Sequence, residues 1–207
     1  PGSTMKLAST LAMLETGKVD VKSGVDLNGG IAFFYNEKME DSELHSVGMS
    51  DLEYAFSKSS NVGIAKLATA VFSGNKIGFA DYYQQWNLNK RTGIELGGEP
   101  LPVIKHPNVD KEKWYGTTLP WMSIGYEMQM TPLQILNFYN AVANNGRMMK
   151  PFMVSDIKSD EDIIRTIKPK VVLDSMFSPQ ALRQAKELLL HVVEKGTAST
   201  LKNEAYS

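Results

Sequence analysis

The stretch Pro1-Gly2-Ser3-Thr4-Met5-Lys6 places a serine and a lysine three residues apart at the start of a helical pattern. On a helix that spacing brings both side chains to one face. A lysine amine within reach of a serine hydroxyl can take its proton, and serine is a poor nucleophile until a base does so. The pair therefore points to acyl transfer through a serine ester. By itself the pattern is weak, because S-x-x-K recurs elsewhere, among other places at Ser155 to Lys158 and at Ser199 to Lys202. The first of these lies in Phe152-Met153-Val154-Ser155-Asp156-Ile157, which alternates like a strand, so residues three apart face opposite ways. The second follows Gly196, beyond a helix end. Both read as solvated surface pairs.

Outward from Ser3, Leu7, Leu11 and Leu14 form an apolar stripe with Met5, Ala8 and Ala12 beside it. This predicts a helix over 3–16, closed at Gly17. Residues 18–49 are rich in Gly, Asn, Asp and Ser and predict an irregular segment with a short strand at Ile31-Ala32-Phe33-Phe34. Loops of that length are usually functional or disordered. Ser50-Asp51-Leu52-Glu53 fits a capping box opening a short helix through Phe56. Ser57 to Asn61 breaks that helix, and the spacing resumes over 62–72 through Ile64, Leu67, Ala68 and Val71.

After a turn at Ser73-Gly74-Asn75, a helix is predicted over 77–86, then a loop over 87–120. Thr131-Pro132 opens the clearest helix, running to Ala143 and ending at Asn144-Asn145-Gly146. Strands are predicted over 152–157 and 163–172. Ser178-Pro179 caps a last helix that reaches Glu194 and stops at Gly196. Helices early and a little strand late suggest the helical part of an α+β fold.

At 207 residues and 43% hydrophobic composition the chain can bury one core, so a single domain is the default. A net charge of −1 and the lack of a basic block give no pull toward nucleic acid or an anionic membrane surface. No apolar run reaches the roughly 18 residues of a membrane span, and no signal peptide is read. With no cysteine, disulfides and thiolate metal sites are excluded. His45, His106 and His191 lie far apart without ligand spacing and read as surface or hydrogen-bonded loop residues. The eleven methionines read as flexible core filler. A catalytic serine at position 3 has nothing upstream to shield it, so a piece of a longer protein is expected.

Ser59-Ser60-Asn61 supplies a second element, an S-x-N between two helices. Its hydroxyl and amide can both face a groove. Ser59 can relay a proton between Lys6 and a leaving amine, and Asn61 can hold Lys6 on one side and a substrate amide on the other. The plainer reading is a polar linker capping Val62-Gly63. S-x-N also occurs at Ser73-Gly74-Asn75, so the triplet discriminates little alone.

Together the motifs become specific. S-x-x-K with an S-D-N-type triplet and K-T-G is the signature set of penicillin-binding proteins and class A β-lactamases. The sequence resembles the transpeptidase domain of class B penicillin-binding proteins in Pro1 to Lys6 and in Ser59-Ser60-Asn61-Val62-Gly63-Ile64-Ala65-Lys66-Leu67. The likeness continues through Thr92-Gly93-Ile94-Glu95-Leu96 with Glu99. It closes on Met122-Ser123-Ile124-Gly125-Tyr126, Thr131-Pro132-Leu133-Gln134, Ala143-Asn144-Asn145-Gly146 and Pro151.

The resemblance implies that Ser3 is the acylated nucleophile, Lys6 its general base, and Ser59 and Asn61 the second motif. It implies that the Ser3 N–H is one oxyanion donor, favoured by the helix N-terminus. Nearby positive charge and burial are expected to keep Lys6 neutral part of the time.

One departure is large: K-T-G is absent. Lys195-Gly196-Thr197 is a scrambled near-match at a helix end with no assigned role. In the family K-T-G lies on a strand just beyond a stretch like 201–207. The expectation is a partial transpeptidase domain over 1–207, lacking the strands before the nucleophile and the K-T-G strands. Such a piece, mostly the helical part of the fold, is expected to be inactive by itself.

The resemblance further implies a D,D-transpeptidase that cross-links peptidoglycan stem peptides and is acylated by β-lactams. It implies no metal or organic cofactor, no nucleic acid, and a membrane glycan-strand polymerase as partner. The parent is expected at the cytoplasmic membrane, held by a single-pass anchor outside this segment, with its catalytic domain extracytoplasmic. Rival readings are a serine β-lactamase or β-lactam sensor, and a non-enzymatic helical scaffold.

Overall fold

A computed structural model of the chain describes residues 1–44, 47–160 and 162–203. Ser3 lies in a single 3-10 turn, Gly2–Met5, that runs into α1 (Lys6–Glu15). The predicted helix therefore has a tighter first turn than an α-helix. Residues 7–13 of α1 are buried on every side rather than along one stripe. A helix with that character belongs at the centre of a domain. It packs on α3 (Asn61–Phe72), α4 (Lys76–Gln85) and α7 (Pro179–Glu194).

Between α1 and α3 the segment expected to be irregular carries four short strands. β1 (Gly24–Asp26) pairs antiparallel with β4 (Met49–Asp51), matching Val25 to Ser50. β2 (Ile31–Phe34) coincides with the predicted strand and forms a hairpin with β3 (Glu37–Glu40). α2 (Leu52–Ser57) follows β4, with Asp51 as its cap: the carboxylate accepts the Tyr54 N–H. This corrects the capping box assigned to Ser50. β4 runs on through Asp51 and α2 starts at Leu52, so Asp51 and not Ser50 is the residue flanking the first helical turn.

Ser60 caps α3 by accepting the Gly63 N–H, and Asn75 caps α4 by accepting the Gly78 N–H. The long loop that follows holds β5 (Val103–Ile104) and α5 (Thr118–Ser123). The sequence reading missed α5, whose only helical stretch contains Pro120. β5 pairs with β6 (Met128–Gln129).

α6 (Pro132–Ala143) starts as expected and carries a full capping box: Thr131 accepts from the Gln134 N–H while the Gln134 amide accepts from the Thr131 N–H. β7 (Met148–Met149) and β10 (Val171–Leu173) form one ribbon, and β8 (Asp156–Ser159) and β9 (Asp162–Thr166) another. The expected strand over 152–157 is displaced, since only its last two residues are extended and paired. α7 begins at Pro179 with Ser178 as cap and ends at Glu194.

Among the described residues every sheet is a two-stranded antiparallel ribbon, so the core is built by helices. An aromatic chain through Phe79, Phe72, Tyr82, Trp86, Phe138 and Phe177 joins α3, α4 and α6 to the segment entering α7. The α+β reading with few strands holds. No helix among the described residues is long and apolar enough to cross a membrane. Of the three histidines, His45 lies outside the described residues. His106 fits its reading, with Nε2 3.0 Å from Asp81 and Nδ1 accepting the Asn108 N–H. His191 does not, because it sits on α7 beside Glu53.

Candidate active site

Two contacts from distant segments hold the Ser3 turn. The Gly2 N–H donates to the Gly125 carbonyl at 3.0 Å, and the Tyr139 hydroxyl of α6 donates to the Thr4 carbonyl at 2.8 Å. Gly125 has φ +85, and a Cβ there would lie 1.9 Å from the Gly2 oxygen, so only glycine lets the two chains approach. Burial pushes the Tyr139 phenol up to about 12, which keeps it a proton donor. Ser3 itself is exposed. Its N–H belongs to a first helical turn, where amides have no partner within the helix.

Lys6, the first residue of α1, is only 2% exposed. Its amine reaches across to the α2–α3 turn, donating to the Ser59 carbonyl at 2.5 Å and to Ser59 Oγ at 3.0 Å. Burial lowers its pKa to about 8, against the opposing charge of Asp41. The anticipated help from positive neighbours is not what lowers it: desolvation does, and the adjacent charge is negative. A substantial neutral fraction near neutrality is what a general base requires.

Ser59 adopts φ +56, a left-handed conformation that side-chain-bearing residues rarely take. That geometry turns its carbonyl and hydroxyl to the same amine. The Asn61 side chain donates to the Glu40 carbonyl at 2.7 Å. The structure thus joins Lys6 directly to Ser59, sets Ser3 one turn before Lys6 on the same helical segment, and ties Asn61 to the β2–β3 hairpin. Ser60, read as a linker residue, caps α3 and donates to Asp41.

Several supporting groups escaped the sequence reading. Gly196 packs so closely that a Cβ would lie 2.3 Å from the Ser57 carbonyl, to which the Thr197 N–H donates at 3.1 Å. The scrambled Lys195-Gly196-Thr197 therefore backs the second motif. A groove beside Ser59 is lined by Asp41, Ser42, Tyr54, Lys58, Gly196 and Thr197.

Glu99 accepts from the Thr92 N–H and hydroxyl, the Gly93 N–H and the Gln134 amide. Burial alone would raise its pKa, but these donors together lower it. The carboxylate pins the 92–99 loop to the start of α6.

Among the described residues, Glu53, Glu187 and His191 bring potential ligand atoms within 4.8 Å of one another. Lys195 and Lys22 already hold both oxygens of Glu53, whose pKa they lower to about 2. The cluster is an ion-pair junction between α2 and α7.

A family model described as the penicillin binding protein transpeptidase domain matches residues 1–206. Penicillin-binding protein PbpB of Mycobacterium tuberculosis is 28% identical over 195 residues, which cover 94% of this chain and 27% of that protein. Peptidoglycan D,D-transpeptidase FtsI of Escherichia coli K12 is 29% identical over 180 residues, 81% of this chain and 28% of FtsI. The chain thus spans under a third of the length of these curated relatives. Penicillin binding protein 3 of M. tuberculosis, solved with ampicillin, superposes with a TM-score of 0.81 at 25% identity, covering 98% of this chain and 44% of that one. The D,D-transpeptidase domain from Eggerthella lenta gives a TM-score of 0.84 over 99% of this chain and 51% of its own; at 20% identity it speaks to the fold alone. The likeness read from the motifs is upheld end to end, and the chain belongs to the penicillin-binding protein transpeptidase family.

Proposed function

We propose that this chain carries the nucleophile and second motif of a peptidoglycan D,D-transpeptidase. One observation carries the reading: a buried amine of lowered basicity, Lys6, gripped by Ser59 and one turn from an exposed serine. Neutral Lys6 takes the Ser3 proton as Ser3 Oγ attacks the penultimate D-alanine carbonyl of a stem peptide. The Ser3 N–H faces the developing oxyanion. Collapse breaks the D-Ala–D-Ala bond, and the proton passes from Lys6, by way of Ser59 Oγ, to the departing D-alanine amine. An amine of a second stem peptide then attacks the Ser3 ester and frees the serine. Asn61 orients the substrate amide on this reading.

A β-lactam mimics the same dipeptide and leaves a stable ester on Ser3. The relatives named for D,D-transpeptidase activity and the ampicillin-bound neighbour support this reading. K-T-G is absent from the sequence. Its strand, the strands before the nucleophile, a membrane anchor and the contact with a glycan-strand polymerase belong, on this reading, to parts of the protein outside this chain.

The test uses the full-length protein with a synthetic stem pentapeptide. Release of D-alanine, abolished by Ser3→Ala, is expected. Release that persists in Ser3→Ala, or rapid catalytic hydrolysis of penicillin, would overturn the assignment, the latter in favour of a β-lactamase.

A further inference from the structure

A carboxylate stands behind the Lys6–Ser59 contact, and the acyl-transfer scheme does not use it. Asp41 follows β3 and is buried. Its own N–H donates to the Gly30 carbonyl at 2.8 Å, so the β2–β3 hairpin fixes its place. Oδ1 accepts the Val62 N–H at 2.9 Å in the first turn of α3, and Oδ2 accepts the Ser60 hydroxyl at 2.7 Å. The carboxylate therefore caps α3 from a distant segment, where the helix dipole favours negative charge. It grips the residue next to Ser59. A left-handed serine persists only where its surroundings hold it, and such strain gathers at working sites.

We propose that Asp41 is a positioning residue for acyl transfer, holding the α2–α3 turn in the conformation that presents both Ser59 oxygens to the Lys6 amine. The inference rests on the transpeptidase reading and adds a regulator of its base. The charged side chains on the elements packed around the amine are engaged elsewhere. Lys58 at the end of α2 donates to the Lys195 carbonyl, Lys66 of α3 donates to the Asp26 carbonyl, and Glu40 of β3 pairs with Lys38. Glu43, on the loop after Asp41, is exposed. Asp41 is thus the buried anion acting on Lys6, and it favours the protonated amine. One carboxylate sets both where the base sits and how readily it holds a proton.

The experiment measures the rate of Ser3 acylation by a chromogenic penicillin against pH in the full-length protein. Asp41→Asn keeps the size and an acceptor for Val62 but removes the charge. Its acylation midpoint is expected to move to lower pH by about half a unit or more. Asp41→Ala also loses the grip on the turn and should slow acylation by roughly tenfold to a hundredfold at every pH, with Asn restoring most of the rate. An unchanged midpoint in Asp41→Asn together with wild-type rates in Asp41→Ala would overturn the proposal. If circular dichroism shows Asp41→Ala unfolded, the Asn midpoint alone decides. A wild-type protein that forms no Ser3 adduct removes the transpeptidase reading and this inference with it. An adduct indifferent to Asp41 removes the inference alone.

Discussion

Lys6 and Ser59 lie 53 residues apart in sequence, yet the amine of one sits between the carbonyl and the hydroxyl of the other, at 2.5 and 3.0 Å. The first turn of the central helix is thereby locked to the strained turn between α2 and α3. Burial, working against the charge of Asp41, sets the basicity of that amine, and it leads to the first expectation.

With its folded pKa at about 8 against an ordinary 10.5, Lys6 is penalised when charged. The unfolded chain binds more protons between those two values, so stability rises as pH climbs through that window, and the full penalty is present below about pH 8. Lys6→Met removes that penalty but leaves the Ser59 carbonyl without its donor, so the two effects should nearly cancel at pH 7, with a net change within about 1 kcal/mol. The substitution should abolish Ser3 acylation. Urea denaturation beside an acylation assay checks both, and wild-type acylation should rise with pH through about 8.

Gly125→Ala should break the Gly2–Gly125 contact, since the added Cβ has no space and the backbone is left-handed. A loss of roughly 2–4 kcal/mol is expected. Acylation should fall further than stability does, because the Ser3 turn is what moves. Stability and acylation measured together separate these effects.

Glu99→Ala leaves the Thr92, Gly93 and Gln134 donors without their shared acceptor. Gly93 is exposed and Thr92 half-buried, so water can reach their donors, and the buried Gln134 amide keeps its bond to the Pro100 carbonyl; a loss of about 1–2 kcal/mol is expected. Hydrogen exchange should show the 92–99 loop and the first turn of α6 opening together.

Glu53, held by Lys195 and Lys22, has a folded pKa of about 2 against an ordinary 4.5. A depressed carboxylate stabilises the fold above its unfolded value and loses that contribution as pH falls from about 4.5 toward 2. Glu53→Gln should weaken the α2–α7 junction at pH 7 and flatten the acid side of the stability profile. Thermal melts from pH 7 to 3 check the slope.

The elements legible in the sequence were those whose signals are local. Thr131-Pro132 with Gln134 specifies its own cap, Ser178-Pro179 does likewise, and the apolar run Ile31 to Phe34 falls on a strand that exists. What was not legible depends on distant partners. Gly24 and Val25 pair with Asp51 and Ser50 across a long loop, and that pairing carries the extended backbone up to Asp51, which places the cap there and not at Ser50. The proposed pair of Ser3 and Lys6 was readable because three-residue spacing on a helix is a geometric statement. Asp41, Tyr139 and Gly125 act on Ser3, Lys6 or Ser59 through contacts made only in the folded chain. Only Gly125 stood within a recognised motif, and nothing in its neighbours discloses that it touches Gly2.

The central claim is that Ser3 is the nucleophile activated by Lys6. Intact-mass and peptide spectrometry of the full-length protein after incubation with ampicillin addresses it most directly. One covalent adduct, mapped to Ser3 and lost in both Ser3→Ala and Lys6→Met, is the expected result. An adduct on another residue, or one that survives in Lys6→Met at the wild-type rate, would contradict the account.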